Sequence, residues 1–140
     1  HGAKVNACNS FHETPLYISA NNGHKDVAEL LVRSGADVND REEGQRSSLA
    51  AAVIVGHKGL AELLINHGAH VNAREEGQTT PLHWAALKHQ KDIAAILIQN
   101  GAEVDARNEN RDIPLKLAVY FSGGHSVVEL LVHSSAGFVV

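Results

Sequence analysis

The chain has 140 residues, a formal net charge of -4, one cysteine and 4% aromatic residues. The acidic balance excludes the basic stripe that a nucleic-acid backbone requires, and the lone Cys8 excludes an internal disulfide and suits a reducing compartment. No apolar run approaches the ~18 residues of a membrane span, His1-Gly2-Ala3-Lys4 has no signal-peptide character, and no Asn-x-Ser/Thr acceptor is present. Length alone suggests one domain. With 44% apolar residues but few aromatics and no methionine, the small side chains suit closely stacked helices better than a large globular core.

In chain order, His1-Gly2-Ala3-Lys4-Val5-Asn6-Ala7 reads as the end of a unit whose helices are missing. The same phrase returns as Ser34-Gly35-Ala36-Asp37-Val38-Asn39-Asp40, His67-Gly68-Ala69-His70-Val71-Asn72-Ala73 and Asn100-Gly101-Ala102-Glu103-Val104-Asp105-Ala106. Each of these follows a helical pattern, so the chain is expected to be a piece of a longer array. A polar turn leads to Thr14-Pro15-Leu16-Tyr17-Ile18-Ser19-Ala20, which recurs as Ser47-Ser48-Leu49-Ala50-Ala51-Ala52-Val53, Thr80-Pro81-Leu82-His83-Trp84-Ala85-Ala86 and Ile113-Pro114-Leu115-Lys116-Leu117-Ala118-Val119. The step is 33 residues, a period that marks a stacked-repeat architecture.

Within each unit the punctuation is regular. Thr14, Ser47 and Thr80 are good helix N-caps. Pro15 and Pro81 fall at the first helical position, where no N–H is needed. A short first helix stops at Gly23 or Gly56. Second helices are predicted over 25–32, 58–65, 91–98 and 126–132, each with apolar residues at helical spacing and the first three closed by Gly35, Gly68 and Gly101. An extended piece and a polar turn such as Arg41-Glu42-Glu43-Gly44-Gln45-Arg46 then project from the helices. Ser47 keeps a cap but is not followed by proline, Ile113 cannot cap, His89 replaces the stopping glycine, and an extra residue lies in Tyr120-Phe121-Ser122-Gly123-Gly124. After Val132 the pattern decays. One repeat cannot bury its own apolar faces, so neighbours must stack on it.

Thr-Pro-Leu-His-Trp-Ala-Ala, Gly-His-Lys-Asp-Val-Ala-Glu-Leu-Leu and Gly-Ala-Asp-Val-Asn at this spacing resemble the ankyrin repeat, over four repeats from about Val5 to Val132. The resemblance implies an all-α solenoid of stacked antiparallel helix pairs with projecting β-hairpin or turn fingers. It divides a single domain over 1–140 into the end of a preceding repeat, 1–8, and repeats at about 9–41, 42–74, 75–107 and 108–140. It implies a non-catalytic protein–protein interaction module that binds on a concave face. It also places His24 and His57 in loop-tying turns and His83 on the threonine hydroxyl. The family's finger glycine is displaced by one position at Gly44 and Gly77 and absent in repeats one and four, so irregular fingers are expected. Asn39 and Asn72, with Asn6, stand where similar repeats undergo asparagine hydroxylation.

No catalytic or metal constellation emerges from the residues. The ten histidines follow the repeat, and His67 and His70 lack a third ligand. No His-Glu-x-x-His, phosphate-cradling loop or nucleophile elbow is present. Glu42-Glu43 and Glu75-Glu76 read as a solvated edge, Trp84 as core and Cys8 as inert. No enzyme activity and no cofactor are expected.

Binding is expected at the finger tips and at the ends of the first helices. Those ends read Asn21-Asn22, Ile54-Val55, Leu87-Lys88 and Tyr120-Phe121, and nothing in a stacked fold demands apolar residues there. An apolar stripe of Ile54, Val55, Leu87, Tyr120 and Phe121, extended by Phe11 at a tip, would form the anchor site. Lys88, Arg46, Glu43, Glu76 and Glu109 would rim it, within a carboxylate-rich edge interleaved with Arg41, Arg74, Arg107 and Arg111. The expected partner is a protein or peptide with apolar anchors and basic residues, bound by a monomer without nucleic acid or membrane. The alternative is a regulatory or targeting arm of a larger enzyme or channel. The expected location is cytoplasmic or nuclear, with secretion as a bacterial effector also compatible.

Overall fold

The computed structural model describes residues 3–41, 45–122 and 125–137. These form eight α-helices and a 3-10 turn, with no strand among the described residues. The helices are α1 Pro15–Asn21, α2 Lys25–Arg33, α3 Ser48–Val55, α4 Lys58–Asn66, α5 Pro81–Leu87, α6 Lys91–Gln99, α7 Pro114–Ser122 and α8 His125–Gly137. The protein is thus all-α and built from helix pairs. Among the described residues the fingers are turns, not paired strands.

The chain divides into two compact units, His1–His70 and Val71–Val140. In the first, α1 pairs with α2 and α3 with α4, while α1 stacks on α3 and α2 on α4. The second repeats the plan with α5–α6 and α7–α8, α5 stacking on α7 and α6 on α8. Local chemistry explains the two first-helix starts of the first unit. The Thr14 hydroxyl accepts from the Tyr17 N–H at 3.1 Å and the Ser47 hydroxyl from the Ala50 N–H at 3.0 Å. The cores are aliphatic and close-packed: Leu16, Leu49, Leu60 and Leu64 in the first unit, Leu82, Ile93, Leu97 and Leu131 in the second, all fully buried beside small alanines.

One stop lacks its glycine and one boundary differs from expectation. His89, standing where Gly23 and Gly56 take φ of 71° and 78°, adopts the same left-handed conformation at φ 60°. The first helix of repeat three therefore stops where the others do, without glycine. The last helix runs on to Gly137, five residues past the predicted end. Ser135 occupies the place that Gly35, Gly68 and Gly101 hold with φ of 98°, 92° and 94°, and a residue that favours right-handed backbone lets the helix continue.

Candidate functional site

The finger tips share one backbone design. In three of them a residue's N–H donates to the carbonyl four positions on: Asn9 to Glu13, Glu75 to Thr79 and Asn108 to Asp112, at 3.0–3.1 Å. A second bond returns from the third residue after it: His12 to Asn9, Gln78 to Glu75 and Arg111 to Asn108. His12, Gln78 and Arg111 all carry positive φ, at 63°, 59° and 66°. The left-handed bend thus stays in register at 33-residue steps even though glycine has left that position. Asparagine stabilises two tips from within. Asn9 Oδ1 accepts from the N–H groups of Phe11 and Glu13, and Asn108 Oδ1 from those of Asn110 and Asp112.

Where the third tip has Glu75, the solvated-edge reading is corrected. Glu75 is buried, and its Oε1 accepts the indole N–H of Trp84 at 2.9 Å. Trp84 is half-buried, not fully core, and the carboxylate satisfies its indole N–H. Glu76 beside it is exposed, as expected. Arg74 is likewise not a free rim charge. Its Nη1 donates to the carbonyls of Gln78 at 3.1 Å and Arg107 at 2.8 Å, and its Nη2 lies 3.8 Å from Glu103. Arg41 donates in the same way to the Gln45 carbonyl. The recurrence of Arg41, Arg74 and Arg107 at the repeat period was the sequence signal for this internal role.

His83 is fully buried and completes a capping box with Thr80. Its Nδ1 lies 2.8 Å from the Thr80 hydroxyl and accepts from the Thr80 N–H at 3.2 Å, while Nε2 donates to the Asp112 carbonyl at 2.8 Å. Burial lowers its pKa, and the Arg74 charge pushes the same way. His57 caps α4 by accepting the Leu60 N–H at 3.0 Å, and its ring lies against the Gly23 turn of the preceding repeat. His24 is exposed and makes no side-chain cap bond. Among the described residues no cluster of three or more His, Cys, Asp or Glu could hold a metal ion.

The asparagines bind one repeat to the next. Asn39 donates to the Gly68 carbonyl at 3.0 Å and accepts from the His70 N–H at 2.9 Å. Asn72 does the same with Gly101 at 2.9 Å and Glu103 at 2.8 Å.

Within the first unit, Phe11, 75% exposed, and Arg46 line one small cleft between adjacent tips with Tyr17 and Arg41. Val55 is exposed and Ile54 half-buried at the end of α3. Glu43 lies outside the described residues. In the second unit Leu87 is half-buried and Lys88 exposed at the end of α5. The tips bearing Glu76 and Glu109 are joined by the Glu109 N–H donating to the Gly77 carbonyl at 2.9 Å. Tyr120 and Phe121 are strongly solvent-exposed, 76% and 60%, with ring centroids 5.1 Å apart and tilted against each other. With Asp112, Lys116 and Leu117 they surround an open hollow of about 260 Å³. A 2.6 Å ion pair between Lys116 and Asp112 floors it.

No described helix is long and apolar enough to cross a membrane. A family model described as ankyrin repeats (3 copies) matches residues 1–75 and 72–139. No curated protein matches the chain. With the matches, the helix pairs and the tip geometry in agreement, the chain belongs to the ankyrin-repeat family, whose repeats are generally protein–protein interaction modules and typically non-catalytic.

Proposed function

We propose that the chain binds a partner protein or peptide through its finger tips and the ends of its first helices. The observation that carries this reading is the Tyr120–Phe121 pair. Two adjacent aromatic rings stand in solvent beside an open hollow. Aromatic side chains that become desolvated on association are the commonest binding hot spots. The hollow takes an apolar anchor of the partner. The exposed Glu76 and Glu109 on neighbouring tips favour a partner segment that also carries basic residues, and they act on association rate and specificity more than on affinity.

The test is affinity capture and titration with the wild-type chain and with Tyr120→Ala/Phe121→Ala. Binding should weaken by about 2–4 kcal/mol, with the thermal midpoint and helical content unchanged. Loss of folding in the double variant would place both rings in the core and end the proposal. Undiminished binding would move the site elsewhere.

A further inference from the structure

Two of the left-handed glycine stops carry asparagine just ahead of them. Asn22-Gly23 closes α1 and Asn100-Gly101 closes α6, and both asparagines are solvent-exposed. The dipeptide has a chemistry of its own. With no Cβ on the glycine, its nitrogen can approach the side-chain carbonyl of the residue before it. The two sites share one local geometry. The Gly23 N–H donates to the Ala20 carbonyl and the Gly101 N–H to the Ile98 carbonyl, both at 3.1 Å. The Asn22 amide donates to the Ile18 carbonyl at 2.9 Å and the Asn100 amide to the Ile96 carbonyl at 2.8 Å. Attacking nitrogen and leaving amide are both tied while the turn is closed, so reaction between them passes through local opening.

What differs is the grip on the glycine. Asn72, one repeat earlier, donates to the Gly101 carbonyl at 2.9 Å and accepts the Glu103 N–H at 2.8 Å. Opening at Gly101 therefore breaks bonds that reach across a repeat boundary. The Gly23 carbonyl accepts from the Lys25 N–H at 3.2 Å, inside its own turn. The next repeat meets this glycine with the His57 ring, 3.7 Å from where a Cβ would stand, and van der Waals contact resists opening less than paired hydrogen bonds do.

We propose that Asn22 is a spontaneous modification site that deamidates through Gly23, and that Asn72 protects the same dipeptide at Asn100. Hydroxide removes the Gly23 amide proton, the nitrogen forms a bond to Asn22 Cγ, and the Cγ–Nδ2 bond breaks as ammonia leaves with a proton from water. Water then opens the succinimide at either carbonyl to give aspartate or isoaspartate, with nothing oxidised or reduced. The product sets a carboxylate at the C-terminus of α1, where the helix dipole disfavours it, in place of the amide that donates to Ile18. Isoaspartate also adds a methylene to the main chain just ahead of the left-handed Gly23. This chemistry is independent of the aromatic site.

The test holds the folded full chain in warm, mildly alkaline buffer and follows the peptides containing Asn22 and Asn100 by mass spectrometry, with isoaspartate resolved by chromatography. Asn22 should convert at least about 3-fold faster than Asn100, whereas in the urea-unfolded chain the two rates should agree within about 2-fold. Asn72→Ala should speed Asn100 by about 3- to 10-fold through the loss of its two bonds, and leave Asn22 unchanged. Asn39→Ala removes the matching grip on Gly68 and should leave Asn100 unchanged, which separates the clamp from a general loss of stability. Equal rates at the two sites in the folded chain overturn the proposal. So does an Asn100 rate that Asn72→Ala does not move, or that Asn39→Ala raises as much.

Discussion

At the scale of single residues, His83 shows how a repeat motif becomes an electrostatic commitment. Neutral imidazole with its proton on Nε2 satisfies the Asp112 carbonyl and leaves Nδ1 to accept the Thr80 N–H. A second proton on Nδ1 would face that N–H, inside a buried site near the Arg74 charge, so the folded-state pKa lies below 6.5. The unfolded chain therefore binds the proton more readily. The stability His83 confers is complete above about pH 6.5 and is lost as pH falls toward the lowered folded value, at up to about 1.4 kcal/mol per pH unit. Urea titrations from pH 7 to 5 should show this slope, and His83→Asn, though less stable throughout, should lack it. His89 carries a different burden. It holds a left-handed conformation that glycine holds at positions 23 and 56. His89→Gly should relieve about 1–2 kcal/mol of backbone strain and lose about 0.5–1 kcal/mol through added unfolded-state freedom. A small rise in thermal midpoint is the expected outcome, and a fall would show that the imidazole has a compensating contact.

At the scale of elements, helix starts follow capping chemistry closely. Thr14, Ser47 and Thr80 cap their helices by side-chain acceptance, but Ile113 cannot. In the first turn of α7 the Ile113 carbonyl accepts from Lys116 at 3.0 Å and Leu117 at 3.4 Å. Ile113→Thr should add about 1 kcal/mol of capping energy, partly offset by the loss of half-buried aliphatic surface, and calorimetry should show a net gain in the midpoint. Helix ends were readable where glycine marks them, at Gly35, Gly68 and Gly101, and misjudged at α8, where nothing does. The tips were misjudged in the opposite sense. Missing glycines predicted irregular fingers, yet His12, Gln78 and Arg111 repeat one bend, because its paired backbone bonds hold the φ that the side chain disfavours.

At the scale of the molecule, cohesion comes from contacts that step from one repeat to the next. Asn72 spans such a step with two bonds of 2.8–2.9 Å, while the leucines and alanines supply burial. Asn72→Ala should cost about 1–2 kcal/mol, the net worth of two hydrogen bonds, read as a fall in the urea midpoint. An unchanged midpoint would mean that water replaces both bonds without loss. Any hydroxylation at Asn39 or Asn72 would act on side chains already engaged at both amide ends, which bears on any enzyme's access to them.

The sequence by itself determined the 33-residue phase, through its own recurrence, and the helix pairs and the caps at Thr14, Ser47 and Thr80, because capping and helical spacing depend on residues within a few turns of each other; the Thr80–His83 bond was implied by the resemblance to the ankyrin repeat. Only the tertiary structure decided that Glu75 goes inside to meet Trp84, that Arg74 is spent on carbonyls, and that Leu87 and Ile54 are half-covered while Tyr120 and Phe121 stand in water. Many of the atoms that decide these outcomes come from the next repeat, as Arg107 does for Arg74, and no local pattern of apolar and polar residues reports what that neighbour will cover.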